Sequence, residues 1–188
     1  MTTLSGRDKS ALLVIDVQNS VVVDAYNLPS VLANINLAVD KARAAALPVI
    51  WVQHSDEGLI LESKEWEIVP ELSPGEGEAR VRKNYPSSFE GTHLDAILAD
   101  QKVGHLFVTG MQTNNCVRHT SHAAMERGYD ITIVSDAHST TGYEWQGHTV
   151  DAQAVVEEFN DNFSHIDLPG RSTRTLLASE LTFSKSDI

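Results

Sequence analysis

A chain of 188 residues, 41% of them hydrophobic, is long enough for one α/β domain with a sizeable core and too apolar for a disordered chain. Fourteen Lys and Arg against 26 Asp and Glu leave a formal net charge of −12, which speaks against nucleic acid or an anionic membrane as a main partner, since both select basic patches. One cysteine excludes an intramolecular disulfide and any multi-cysteine metal or iron–sulfur site. With a polar amino terminus and no apolar run near the roughly 20 residues that span a bilayer, a soluble, reducing, cytoplasmic setting is expected.

Ala11-Leu-Leu-Val-Ile15 is a continuous apolar run ending at Asp16, as expected of a strand buried on both faces. Pro29 precedes a segment from Ser30 to Leu47 with apolar residues at Val31, Ile35, Ala38, Val39, Ala42 and Ala46, which is helical spacing, and Pro48 stops it. Val49 to Gln53 reads as the second strand. Residues 54–80 are acidic and rich in Gly and Pro, and long loops of this kind tend to be functional.

Ala79 to Lys83 reads as a short third strand, and Thr92-His-Leu-Asp95 as a capping box opening a helix to about Lys102. Residues 105–109 form the next strand, the run from Cys116 to Gly128 a helix, and 130–135 another strand. Residues 137–147 read as a polar loop, 149–160 as a helix with Val150, Ala154, Val155 and Phe159 on one stripe, and 173–178 as an edge strand. No repeat or linker divides the chain, so 1–188 reads as a single domain. Strands alternating with helices imply an α/β fold with a doubly wound parallel sheet. In such sheets the site lies beyond the carboxyl ends of the strands.

Three residues stand at such ends. Asp16 ends the first strand, Lys83 the third, and Cys116 follows the strand 105–109 after the turn Gly110-Met-Gln-Thr-Asn-Asn. A thiol at a helix start is expected to be held as a thiolate by unpaired N–H groups and the helix dipole, although most lone cysteines are small buried hydrophobes. A carboxylate can take the thiol proton and return it to a leaving amine, and a lysine between them holds the carboxylate and steadies the sulfur. The nucleophile then forms a covalent acyl-enzyme, with backbone N–H groups of the turn facing the oxyanion.

The strings Leu13-Val-Ile-Asp16-Val-Gln18-Asn19, Lys83-Asn-Tyr-Pro-Ser-Ser-Phe89, Gly110-Met-Gln-Thr-Asn-Asn-Cys116-Val117, Ala124-Met-Glu-Arg-Gly128-Tyr129 and Val134-Ser-Asp136-Ala137-His138 resemble the isochorismatase-like cysteine hydrolase superfamily, over about residues 10–165. The resemblance implies a Rossmann-like three-layer α/β/α domain and an Asp16–Lys83–Cys116 triad. It also implies a cis peptide at Met111–Gln112 that aims the Gln112 and Cys116 N–H groups at the oxyanion, and assembly as a homodimer or homotetramer.

Departures from family patterns narrow the reading. Nicotinamidases of the superfamily carry a metal-binding Asp-x-His set after the second strand. Val52-Gln-His54-Ser-Asp56-Glu57 lacks it, so neither metal nor cofactor is expected. Isochorismatases proper often lack the cysteine, so its presence favours cleavage of a C–N bond in a small amide, carbamoyl or lactam substrate. Ser20-Val-Val-Val23 replaces the aromatic wall of many relatives. Gln18, His54, Phe89 and Trp145 are candidate substrate-binding residues, with Trp66 and Tyr85 as further pocket candidates, while His119 is expected to pack. The loop after the second strand is a lid, a subunit contact or a solvated segment. Two other readings stand beside the amidase: vinyl ether hydrolysis with Asp16 as acid and Cys116 as bystander, and a non-catalytic thiol-bearing binding protein.

Overall fold

The computed structural model describes residues 2–183. Its centre is a six-stranded sheet in the order β3-β2-β1-β4-β5-β8, with every adjacent pair parallel. The strands are β1 (Lys9–Ile15), β2 (Val49–His54), β3 (Ala79–Lys83), β4 (Val103–Met111), β5 (Asp130–Ser139) and β8 (Thr173–Leu176). β1 lies at the middle, with Leu13 paired to Ile50 of β2 on one side and to Val108 of β4 on the other. That position explains the unbroken apolar run: both faces are covered, so no residue from Ala11 to Ile15 needs to be polar.

Helix α1 (Leu28–Ala44) covers one face. Leu12, Val14, Trp51 and Phe107 pack there with Ile35, Ala38 and Val39. Helices α2 (Leu94–Asp100), α3 (Arg118–Glu126) and α4 (Ala152–His165) cover the other, against Ala11, Leu13, Ile15 and Ile50. The result is the doubly wound three-layer architecture the alternation implies. The chain runs outward from β1 to β3 and then returns to β4 on the far side of β1. The strand order therefore reverses between β1 and β4, which is where such sheets open a crevice.

Several local expectations need correction. β5 continues to Ser139, and residues 143–150 form an antiparallel hairpin of β6 (Tyr143–Trp145) and β7 (His148–Val150) instead of a plain loop. Helix α4 accordingly starts later, at Ala152, with the Asp151 side chain accepting the Ala154 N–H as its cap. The Thr92–Asp95 capping box does not form. Thr92 Oγ1 instead donates to the Ser88 carbonyl and accepts the Leu94 N–H in a local turn, and the helix ends at Asp100. Residues 65–72 are not a free lid. Asn19 and Ser20 donate to the Glu67 and Glu65 carbonyls, Val69 donates to Val17, and Val69 and Leu72 sink into the core beside α1.

Candidate active site

The carboxyl ends of β1, β3 and β4 bring three side chains together. Asp16 follows β1 with φ of 51°, in the left-handed region that a non-glycine residue enters at a cost of order 1–3 kcal/mol. Its N–H bonds the Val52 carbonyl and its own carbonyl accepts Gln18, so the backbone turns sharply out of the strand and buries the carboxylate at 1% exposure. Lys83, the last residue of β3, lies two strands away. Its side chain reaches past the end of β2 and is fully buried. Gly110 lets β4 close on β1: a Cβ there would stand 2.0 Å from the Ile15 carbonyl oxygen, at φ of 116°.

The peptide Met111–Gln112 is cis. Thr113–Val117 then forms a single π-helical turn that runs directly into α3, closed by the Val117 N–H to the Gln112 carbonyl. Cys116 sits in that turn, two residues before the α-helix starts, and its thiol is buried. π-turns inside helices frequently mark functional sites.

Lys83 Nζ organises the constellation. It stands 2.6 Å from Asp16 Oδ2, donates to Cys116 Sγ at 3.1 Å, and lies 3.4 Å from His54 Nδ1. An ammonium has three N–H donors and no acceptor, so these three neighbours match its whole capacity. His54 Nδ1 must then be an acceptor, and its Nε2–H points to Asp56 Oδ2 at 3.0 Å. Asp56 is fixed in turn by the Gly58 and Leu59 N–H groups on Oδ1. Apart from Lys83 and the thiol, neither Asp16 oxygen takes a hydrogen bond from a described donor, which leaves lone pairs free for a proton.

The electrostatics reverse the expectation of a thiolate. Burial, and then the charge of Asp16, push the Cys116 thiol up to about 12, against the opposing pull of Lys83. Burial also raises the Asp16 carboxyl, although Lys83 pulls it back. The helix start is outweighed because the sulfur is desolvated and faces an anion. In the free protein the proton therefore belongs on sulfur, beside the carboxylate.

These groups form the floor of a cleft of about 410 Å³ lined by Asp16, Val21, His54, Asp56, Asn84, Pro86, Gln112, Asn115 and Cys116. A concavity of similar size, about 380 Å³, lies at the opposite end of β1 and β4 beside Arg7, Lys9 and Gly104, and has no cysteine in its lining. Of the candidate substrate-binding residues, only His54 lines the cleft. Gln18 is wholly buried: its Nε2 donates to the His54 and Trp66 carbonyls and its Oε1 accepts the His54 N–H, so it clips the end of β2 in place. Phe89 is a core residue, tilted against Tyr129 at 5.8 Å between ring centres. Trp145 stands 64% exposed on the β6–β7 hairpin, away from the cleft lining. Trp66 is buried behind β2, Tyr85 is exposed, and His119 is exposed with Nδ1 donating to the Asn115 carbonyl.

Sequence reasoning passed over Asp56, Asn84, Asn115 and the Gln112 side chain as cleft residues. Asn84 had a signal, standing next to Lys83, and its Nδ2 donates to the Ser55 carbonyl at 2.7 Å across the rim. It also passed over His138. Asn160 gives its Nδ2–H to the Ser135 carbonyl, so its Oδ1 accepts the Nε2–H of His138 at 2.9 Å. That leaves His138 Nδ1 to accept the Thr113 hydroxyl at 2.9 Å. Burial holds this imidazole down at about 4, so it is neutral at physiological pH and anchors the first residue of the turn that carries Cys116 to α4. Among the described residues, no group of three or more His, Cys, Asp and Glu is placed to hold a metal ion, and no helix is long and apolar enough to cross a membrane.

With this geometry in place, comparison with known proteins is decisive on kinship. A model of the isochorismatase domain matches residues 10–161. The chain belongs to the isochorismatase family. An uncharacterized isochorismatase family protein of Bacillus subtilis is 32% identical over 159 residues, covering 80% of this chain and 88% of that one. A secreted isochorismatase effector of Verticillium dahliae is 32% identical over 143 residues, covering 72% and 75%. Among solved structures, a putative isochorismatase of Burkholderia xenovorans has 32% identity and a TM-score of 0.81, covering 91% of this chain and 84% of its own. The chain thus has an isochorismatase-family hydrolase fold.

Proposed function

We propose that the protein is a cysteine hydrolase that cleaves a C–N bond of a small amide, carbamoyl or lactam substrate through a thioester on Cys116. The observation that carries this reading is the buried ammonium of Lys83 between Asp16 Oδ2 and Cys116 Sγ at the floor of the cleft. As the sulfur attacks the substrate carbonyl carbon, its proton passes to Asp16 and the negative charge moves to the carbonyl oxygen, so the site keeps its total charge. The transfer therefore needs no net charge to be created in the buried site.

The backbone N–H groups of Gln112 and Cys116 are assigned to the oxyanion. Asp16 then returns the proton to the leaving nitrogen, the C–N bond breaks, and the acyl group remains on sulfur. Water follows the reverse path: Asp16 takes its proton, its oxygen attacks the thioester carbon, the acid departs and the thiol is restored. Lys83 holds both partners in register throughout, and His54 holds Lys83. A thiol with this role suits a reducing compartment, whereas the Verticillium relative is by name secreted.

The test is a Cys116→Ala variant assayed beside the parent on a panel of small primary amides, carbamoyl compounds and lactams. Turnover by the parent and its loss by at least about 10³-fold in the variant is the expected pattern, in line with removal of a covalent nucleophile. Comparable turnover by both proteins removes the thioester mechanism.

A further inference from the structure

We infer that this cleft selects an uncharged or cationic substrate and turns away carboxylates, an inference that rests on the hydrolase reading for its reaction but not for its electrostatics. The described residues lining the cleft carry two carboxylates, Asp16 and Asp56, one imidazole, three neutral amides and the thiol, with no arginine and no lysine. A positive charge does lie beneath the floor, at Lys83, but it is already committed. Its ammonium faces Asp16, the thiol and His54, which match its three N–H donors, and it is fully buried. Recognition of a substrate carboxylate needs a charged donor with free N–H groups, most often an arginine. None lines this site.

The rim adds to the field. Asp56 is half exposed, and both its oxygens are engaged as a carboxylate, one by His54 and one by two backbone N–H groups. It therefore presents a fixed negative charge at the mouth. Asp16 on the floor is balanced by the Lys83 ammonium 2.6 Å away, so Asp56 sets the net charge of the cleft, in a protein that carries −12 as a whole. A cleft lined by one sign of charge concentrates ligands of the other sign and repels its own. Asn84, Asn115 and the Gln112 amide supply the neutral hydrogen bonds that a carboxamide or urea group can return.

The consequence for chemistry is specific. Isochorismate is a dicarboxylate, and the cleft holds nothing to neutralise either of its charges. The substrate class that fits is a small amide or carbamoyl compound with no acid group, with an amine tolerated toward the Asp56 side. Asp56 becomes the specificity-determining residue of the site.

The test uses the whole protein and does not require knowing the substrate. Alkylation of Cys116 is followed by intact mass at pH 9 with iodoacetamide, which is neutral, and iodoacetate, which is anionic, and the rate ratio is normalised to that of a small free thiol. At low ionic strength the normalised rate with iodoacetate is expected to fall at least about tenfold below that with iodoacetamide, and the gap narrows in 0.5 M salt. Asp56→Asn and, separately, Asn84→Lys each raise the relative iodoacetate rate about fivefold. A normalised ratio near one, a preference for iodoacetate, or no response to either substitution overturns the inference.

A matched substrate series then reads the same property in turnover. Among butyramide, 4-aminobutyramide and succinamate, kcat/KM is expected to be lowest for the anionic member. Succinamate as the best of the three, or efficient turnover of isochorismate, overturns the inference. Absence of turnover across the whole amide panel counts against the hydrolase reading, and the alkylation ratio still decides the charge preference.

Discussion

Replacing Lys83 with methionine tests the buried centre most sharply. Methionine nearly preserves the volume of the side chain but removes the ammonium that faces Asp16 at 2.6 Å, in a pair that is 0% and 1% exposed. Removing one partner of a fully buried pair leaves an uncompensated charge and costs about 3–5 kcal/mol. For a chain of this size that lowers Tm by about 6–20 °C. The cost must depend on pH, with a definite sign. Burial already raises the Asp16 carboxyl, and Lys83 is the main force opposing it, so the substitution raises it further. A carboxyl that binds its proton more tightly in the folded state stabilises the fold at low pH and loses that contribution as pH rises. Lys83→Met is therefore expected to be nearest the parent close to pH 4 and furthest below it at pH 7 to 8.

The double variant Asp16→Asn/Lys83→Met removes the stranded charge and is expected to recover most of the lost Tm, a coupling well above additivity. Thermal melts of the four proteins at pH 4.5, 6 and 8 provide the test. A flat pH response in Lys83→Met, or Tm losses that add in the double variant, would refute the argument that the ammonium neutralises a buried carboxylate here.

Other consequences are equally direct. Because the thiol is pushed up to about 12, alkylation of the free protein by iodoacetamide is expected to keep rising with pH through pH 10. Asp16→Asn, which removes the opposing anion and leaves Lys83, shifts that profile to lower pH, and an upward shift would contradict the assignment. His138→Leu breaks the bonds to Thr113 and Asn160 and is expected to lower kcat more than it raises KM, with a stability loss of about 1–3 kcal/mol. His138→Asn, whose carbonyl can still accept the Thr113 hydroxyl, restores part of kcat; equal defects in the two variants would show that His138 only fills space. Its stabilising contribution is full above about pH 6.5 and is lost as pH falls toward about 4, because the folded state resists protonation. Burial would raise Glu78, but bonds from Arg43, Trp51 Nε1 and the Gly75 N–H hold it at about 2, so it stabilises the fold above pH 4.5 and stops doing so as pH falls toward 2. Glu78→Gln should cost about 1–3 kcal/mol at pH 7 in urea denaturation and much less at pH 3.

The sheet was legible because a strand buried on both faces shows itself as an unbroken apolar run, as in residues 11–15 and 49–52. Asp16, Lys83 and Cys116 could be picked out because residue chemistry and the carboxyl-end rule point to the same three places. What lay beyond reach depends on the third dimension. Lys83 meets Asp16 only because its side chain spans the end of β2, which no spacing encodes. Phe89 and Trp145 are both aromatic and near the right loops, yet one turns into the core and the other into solvent. Gln18 looked like a substrate contact and is a clip on the β2 backbone, since an amide serves either purpose. The charge of the thiol was misjudged because the helix start is visible in sequence, whereas the burial and the Asp16 field that oppose it are not.

The central claim is that Cys116 carries the acyl group. Rapid-quench intact mass spectrometry of the protein during turnover of an amide from the panel, followed by peptide mapping, reads this directly. The account predicts an added acyl mass confined to the peptide containing Cys116, appearing within the first turnover and decaying at the rate of product release when substrate is exhausted. Steady turnover with no adduct on that peptide, together with an active Cys116→Ala protein, would contradict it.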